Sequence, residues 1–484
     1  MTSKRKSDLI IMLGCAIVMA VFWVLPPMPP LTQIGMRVIG VFIGTVVLLS
    51  FVDPVWPMLI SIALLSRTGV ASLGAITAAS IGNWIFLFVL LSFIMTYALT
   101  ECWFMDRMVA KFMGMKFVMR TPWTFTLAIS VLGVLVGSFI DQVPAVAFML
   151  AFANKVYKEL GYTREDDYPH MVNFMVAYGA IIGGAMTPIS HSFALMGMAI
   201  YEGALKKSMS LVTYLAFGVP TGLVLFIAML IIVRLFCHPD MSHFAHFDIN
   251  KVLVHKGKMD LKEKIVVISF FGAVFMWVLP GVAGMLTDAA WVGVINDYGI
   301  TFWAILSVVV MTVVYVDGKP ILNVTEVVNT HINWGIMMFV AIAIYLGSAL
   351  AAKSTGVTEW ITMMLHPIIA TVSPSMVVLV ITTAGVFMTN FSSNVTTITV
   401  MTGVGVVVAM GSNGAINPAG MALCTTMAGS CAYLLPSSFA GIALLHSNEY
   451  SNRATILRYG FMMMIVSSIA IGLIGYSVGC AITG

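Results

Sequence analysis

The sequence predicts an all-α polytopic membrane protein, with about 11 transmembrane helices plus two re-entrant hairpins arranged as inverted repeats. Three observations carry this. The chain is 60% hydrophobic and only 9% charged, with a mean hydropathy of +1.01, more apolar surface than a soluble domain can bury. Two long apolar segments, 121–156 and 373–411, are each interrupted midway by polar residues, Asp141-Gln142 in one and Ser392-Ser393-Asn394 in the other. Landmarks of the first half recur in the second, in order, at spacings of 248 to 252 residues.

Taken in order, residues 1–29 hold a basic tail (Lys4, Arg5, Lys6) and an apolar run ending at Pro26-Pro27-Met28-Pro29-Pro30. With no small-x-small cleavage site before more membrane sequence, this reads as a retained first span rather than a secretory signal. Further apolar runs long enough to cross lie at about 33–52, 54–72, 82–100, 169–203, 211–236, 264–286, 299–316, 333–352, 415–445 and 454–480. Segments 121–156 and 373–411 are each long enough for a pair of short helices that enter and return. Non-helical backbone at membrane depth is tolerated where protein or a wet cavity surrounds it. The alternative is two ordinary spans in each, which topology must decide.

With the N-terminus inside and the hairpin reading, only Arg37, Arg67, Lys206, Lys207 and Lys353 of the 24 lysines and arginines fall outside. That bias supports a cytoplasmic N-terminus, an outer C-terminus and the hairpins together. It fits a bacterial inner membrane. The first hairpin then enters from the cytoplasm and the second from outside.

Asn83-Trp84 recurs as Asn333-Trp334, and Phe139, Gln142 and Val143 match Phe391, Asn394 and Val395. The small-residue stretch around Pro188 and Ser190 recurs in outline around Pro436 and Ser438. The chain reads as repeat 30–237 (hairpin 121–156, broken helix 169–203) and repeat 264–484 (hairpin 373–411, broken helix 415–445), joined by a connector at 238–263. An odd number of spans per repeat inverts one against the other, an arrangement found in secondary transporters. The connector's His238, His243, His246 and His255 match no common metal-ligand spacing. Six scattered cysteines form no disulfide framework. The 38 methionines suit adaptable apolar packing.

From Trp123 to Asn154 the only charged residue is Asp141, and an ionisable group that deep is by default a functional-site candidate. At a hairpin tip one short helix ends in free carbonyls, suited to a cation, and the next begins with free N–H groups, suited to an anion. Pro144 fits the first helical position of the second leg of hairpin one. Ser392, Ser393, Asn394, Thr396 and Thr397 bring short polar groups to the other tip. Prolines 188 and 436 with adjacent small residues open the broken spans, and His191 on the first break is a candidate for a substrate hydrogen bond or a proton relay. Each has a structural alternative: an ordinary hydrogen bond for His191, back-bonding to helix carbonyls for the hydroxyl residues, and a helix cap for Asp141.

The layout and these motifs resemble the divalent-anion:sodium symporter family, the INDY-type di- and tricarboxylate transporters of the ion-transporter superfamily. That family carries Ser-Asn-Thr at each hairpin tip. Here Ser393-Asn394-Val395 stands at the second tip and Asp141-Gln142-Val143 at the first. The resemblance implies one sodium site from Gly137, Asp141, Gln142 and Ser190 and another from Thr389, Ser392, Asn394 and Ser438. It implies substrate contacts at Asp141, Gln142, Val143, Ser393, Asn394 and Val395. His191 and Phe439 stand where the family has Thr-Pro-Pro-type signatures after the breaks, and join the substrate-binding candidates. Also implied are a homodimer and an elevator-like movement of one domain past a fixed scaffold.

The expectation is a carrier of a small organic anion, a di- or tricarboxylate, coupled to Na+ or H+ and needing no other cofactor. Its partners are the anionic substrate, the bilayer and a second copy, with no nucleic acid. The other readings are a cation/proton antiporter with Asp141 as exchange site, and a dicarboxylate exchanger. A channel suits inverted broken helices poorly. An intramembrane aspartyl protease needs a second embedded aspartate, and Asp53 at a span end is a poor partner. No His-Glu-x-x-His or Gly-x-Ser-x-Gly stretch offers a zinc or serine mechanism.

Overall fold

The computed structural model describes residues 3–52, 56–190, 192–253, 257–284, 286–287, 289–369 and 371–484. Helices α1 (Ser3–Val24), α2 (Gln33–Phe51) and α3 (Trp56–Thr68) come first, then a short α4 (Leu73–Ser80), α5 (Trp84–Thr100) and α6 (Phe104–Met113). Hairpin one is α7 (Pro122–Phe139) and α8 (Gln142–Leu160). The first broken helix is α9 (Asp167–Met186) and α10 (Ser192–Leu205), and α11 (Leu211–Phe236) ends the half. The second half repeats this order. It runs α12 (Leu261–Ala283), α13 (Ala290–Val313), a short α14 (Val324–Thr330), α15 (Trp334–Ala351) and α16 (Val357–Ile369). Then follow hairpin two as α17 (Pro374–Phe391) and α18 (Asn394–Gly411), and the broken helix α19 (Pro418–Gly429) and α20 (Ala440–Ser447). A final α21 (Arg453–Ile469) runs through a π-turn, 470–475, into α22 (Tyr476–Thr483). Among the described residues the only strands are the two-residue pair Tyr315–Val316 and Lys319–Pro320.

Local chemistry sets these boundaries. Asn83 and Asn333 recur because each caps a helix: Asn83 Oδ1 accepts from Ile85 N at 2.9 Å and Asn333 Oδ1 from Ile336 N at 3.1 Å. Pro122 and Pro374 both open the first leg of a hairpin, where no N–H donor is needed. Thr121 and Thr124 add a reciprocal capping box at the first. In α6, Met105, Val109 and Met113 are buried one turn apart while Lys111 is exposed, the pattern of a helix lying along an interface.

Two expected spans differ. Helix α3 has only 13 residues, about 20 Å at 1.5 Å per residue, short of the ~30 Å hydrocarbon core. Helix α13 begins well before residue 299 and is interrupted there by Gly299, whose φ of 68° is left-handed. Among the described residues ten helices are long and apolar enough to cross a membrane.

The hairpins and broken helices form the interior. Helix α9 packs on α7 and α8, and α19 on α17 and α18. Each broken helix then crosses over: α10 leaves the first hairpin to pack on α18 and α19, and α20 leaves the second to pack on α8 and α9. The short helices exchange likewise, α4 on α15 and α14 on α5. Helices α1, α12 and α13 stay at the periphery and present bare apolar side chains such as Ile268 and Phe275, as a lipid-facing scaffold does.

Candidate functional site

Helix α7 ends at Phe139 and α8 begins at Gln142, leaving Ile140 and Asp141 extended at the first tip. The tip is held against α9 by close backbone packing. Glycines recur every fourth residue on both helices, Gly133 and Gly137 on α7 and Gly179 and Gly183 on α9, each set against the other helix's backbone. A Cβ on Gly137 would strike the carbonyl of Ala180, and one on Gly183 that of Val134. Such small-xxx-small faces let membrane helices approach to backbone contact. At this distance Gln142 Nε2 donates to Ile181 O at 2.8 Å and Ser138 Oγ to Gly183 O at 3.2 Å. On the break, Thr187 Oγ1 donates to Ser138 O at 2.8 Å and lies 3.3 Å from Ser190 Oγ. Gly137, Gln142 and Ser190 thus gather around one turn of structure.

Asp141 is partly buried and caps α8, its Oδ1 accepting from Val143 N at 3.1 Å. Its second oxygen has no hydrogen bond, and no basic side chain pairs with it, among the described residues. Pro144 falls at the third rather than the first position of α8. That is still within the first turn, where an N–H would have no intrahelical acceptor.

The second tip repeats this bonding with longer side chains. Asn390, in place of Ser138, is completely buried, and its Nδ2 donates to Cys431 O at 2.9 Å and Val386 O at 2.8 Å. Its Oδ1 accepts from Tyr433 N at 2.7 Å and Leu434 N at 3.0 Å, tying the break after α19 to the tip. Thr389 Oγ1 lies 2.6 Å from Gly429 O and 2.7 Å from Asn394 Oδ1, so one hydroxyl proton is divided between two acceptors. The correspondence with the first tip is residue by residue: Ser138 on Gly183 matches Asn390 on Cys431, and Gln142 on Ile181 matches Asn394, through Thr389, on Gly429.

Both breaks connect the tips. Phe193, Met196 and Ile200 of α10 share an apolar cluster with Val395 and Ile398 of α18, and Thr399 Oγ1 lies 3.9 Å from Met196 Sδ. On the other side, Phe439 opens α20, whose Gly441 approaches both the Phe439 ring and Val146 of α8. Tyr178 in α9 donates to Tyr433 O at 2.9 Å. Ser438 turns onto its own break, donating to Leu435 O at 2.6 Å, and makes no hydrogen bond to Thr389 or Asn394 among the described residues. His191 lies outside the described residues, as does Asp53.

Buried polar atoms without partners concentrate at these tips. Six of the ten found among the described residues lie at the tips or the first break: Gln142 Oε1, Ser192 Oγ, Ser392 Oγ, Asn394 Nδ2, Thr396 Oγ1 and Thr397 Oγ1. A buried unpaired group of this kind costs roughly 1–3 kcal/mol, so a cluster of them marks a place that a polar ligand completes. Back-bonding accounts for Thr399, which donates to Val395 O at 3.0 Å, but not for Thr396 and Thr397. The caps differ too. Helix α8 is capped by Asp141, whereas Ser393 gives α18 no side-chain cap.

Of the connector histidines, His243 has a structural role. His243 Nδ1 lies 2.9 Å from Leu160 O and its ring stacks on Tyr162 at 4.3 Å. Among the described residues no group of His, Cys, Asp or Glu could hold a metal ion, and His255 falls outside them. Ser138, Thr187, Asn390 and Ser192 were not anticipated from the sequence. Their signal is pairing: Ser138 and Asn390 occupy matched positions one residue before each tip's Phe.

Paired hairpins, crossed broken helices and buried polar atoms without partners at the tips are features of the polytopic helical class of secondary transporters. A family model described as citrate transporter matches residues 47–428, and the chain belongs to that family. It is 24% identical over 350 residues to the sodium-dependent dicarboxylate transporter SdcS of Staphylococcus saprophyticus, a match covering 70% of this chain and 66% of that protein. The fold is similar to the crystal structure of the Alcanivorax borkumensis YdaH transporter, with a TM-score of 0.56 and 11% identity, covering 97% of this chain and 96% of that one. The carboxylate-transporter resemblance read from the tip motifs therefore holds at the level of the family.

Proposed function

We propose that the chain moves a small organic anion, a di- or tricarboxylate, across a bacterial inner membrane in obligatory company with Na+ or H+. The observation that carries this reading is the unpartnered buried polar atoms at the hairpin tips, Gln142 Oε1 at the first and Ser392 Oγ, Thr396 Oγ1, Thr397 Oγ1 and the Asn394 amide at the second. The uncapped N-terminus of α18, with Asn394, Thr396 and Thr397 in its first turn, suits a carboxylate. Asp141, Gln142 and Val143 line the opposite side, with Ser393, Val395 and Phe439 completing the substrate pocket.

Cations sit beside the substrate at two positions, one bounded by Gly137, Asp141, Gln142 and Ser190, the other by Thr389, Ser392, Asn394 and Ser438. An unpaired carboxylate at membrane depth has to meet a positive charge when an anion approaches, since like charges a few ångströms apart repel by several kcal/mol at low effective dielectric. Coupling follows from this. The relative's sodium-dependent dicarboxylate transport agrees with it.

The mechanism is elevator-like. The crossed hairpins and broken helices of repeats 30–237 and 264–484 travel as one body past a scaffold of peripheral helices, and two copies form a dimer through that scaffold. The N-terminus is cytoplasmic and the C-terminus outside. Uptake of labelled dicarboxylates by purified protein in liposomes, with sodium and pH gradients imposed separately, tests this. Uptake driven by one gradient and lost in Asp141→Asn is expected. Uptake that ignores both gradients and survives Asp141→Asn unchanged contradicts it. Cation exchange without anion movement favours the antiporter reading, for which Asp141 is the specific observation.

A further inference from the structure

An open groove of about 340 Å³ runs between α7, α9 and α11, at the end of the bundle where α7 begins and α11 stops. Its walls are Trp123 and Leu127 of α7, Met175 of α9 and Leu230 and Val233 of α11, with Arg234 as the one charged wall residue. The hydroxyl of Thr126, the remaining wall residue, is spent on Pro122 O at 2.9 Å and the Tyr168 hydroxyl at 3.0 Å. The groove therefore offers a ligand apolar surface and a cation. Leu223, Ile227, Ile231 and Leu235 stand exposed at four-residue spacing along the same face of α11, and Leu127 is exposed on α7. On a spanning helix such a stripe faces hydrocarbon, so the groove opens to lipid rather than to water. The Arg234 guanidinium lies over the Trp123 ring, 4.9 Å from its centre, which holds the charge at the rim. Arg120, exposed and three residues before Trp123, brings a second guanidinium to the same end. Among the described residues neither arginine has a carboxylate partner.

We infer that this groove is a binding site for one anionic phospholipid, with an acyl chain lying between α7 and α11 and the phosphate at Arg234 and Arg120. Basic side chains beside an apolar crevice between spanning helices are the chemistry that recognises such headgroups. A small free anion would meet the charges and leave the apolar walls uncovered. A second copy of the chain is proposed to dock elsewhere, on the peripheral helices. Helix α9 packs on both α7 and α11, and the lipid joins these two helices across it. The inference goes beyond the transported substrate and does not depend on which anion the hairpin tips take.

The test is native mass spectrometry of the delipidated full-length protein in detergent, titrated with phosphatidylglycerol or with phosphatidylcholine of the same acyl chains. The wild type retains one phosphatidylglycerol per chain, at least about fivefold more tightly than phosphatidylcholine. Arg234→Gln and Arg120→Gln each weaken that retention roughly fivefold, whereas Lys319→Gln, at an exposed lysine outside the groove, leaves it unchanged. Leu230→Trp fills the groove and removes retention while keeping both charges. Excess inorganic phosphate does not displace the lipid. Equal retention of the two lipids by the wild type overturns the inference, and so does displacement by free phosphate. Phosphatidylglycerol held as tightly by Leu230→Trp overturns it too. A wild-type dimer that retains no lipid and falls to monomer in Leu230→Trp gives the groove to a second copy instead. Arg234→Gln and Arg120→Gln change exposed positions, so the comparison stands even if Leu230→Trp fails to fold.

Discussion

Asn390 shows how one side chain fixes the geometry of a tip. Its amide makes four hydrogen bonds inside the protein, the full capacity of two donors and two lone pairs. Asn390→Ala leaves the buried N–H groups of Tyr433 and Leu434 unpaired. The expected cost is more than about 2 kcal/mol, read as a marked fall in Tm of the purified protein together with lost transport. Ser138→Ala at the matched position costs less, because Ser138 Oγ gives its one proton partly to its own helix at Val134 O and no buried N–H depends on it; its Tm stays near that of the wild type. Equal effects of the two substitutions would contradict this account of the tips. The sequence marked both tips through Asp141 and Asn394 but not Asn390. A buried asparagine and a buried serine at equivalent positions look unrelated until the carbonyls they reach are known.

Among the elements, the contact between α7 and α9 is the most sensitive, because it is made by backbone atoms. Gly183→Val drives a branched side chain into Val134's carbonyl, and overpacking of this kind costs typically 1–3 kcal/mol or more. The prediction is lower Tm and little or no uptake, whereas Gly74→Ala, where an added Cβ meets nothing within 4 Å, leaves both unchanged. The breaks were legible in the chain, since Asp141-Gln142 and Ser392-Ser393-Asn394 interrupt apolar runs that otherwise continue, and a helix ends at each. The kink at Gly299 and the shortness of α3 were not. An apolar run shows how much chain is greasy, not where a left-handed residue stops the helix.

For the whole molecule, one buried ion pair ties the connector and the start of α12 to the first half. Glu263, 3% exposed near the start of α12, accepts from Arg107 Nε of α6 at 2.7 Å, and Arg107 also reaches the backbone of Gly257 and Lys258 in the connector. Arg107→Ala strands a buried carboxylate, at a cost of about 3–5 kcal/mol. Arg107→Ala with Glu263→Gln recovers part of the lost Tm, and failure of that recovery would mean the pair is incidental. The repeat itself was legible through Asn83, Asn333 and the tips, while the exchange of α10 and α20 between hairpins was not, because it is a property of the crossing and leaves no spacing behind. That exchange underlies the central claim, that two hairpin tips of opposite origin face one pocket. The most direct measurement is cross-linking of a Val143→Cys, Val395→Cys double variant, built with the six native cysteines replaced, by a short bifunctional thiol reagent. The account predicts an intramolecular cross-link that abolishes uptake and is prevented by bound substrate. Single variants that each react with the reagent while the pair never cross-links would contradict it.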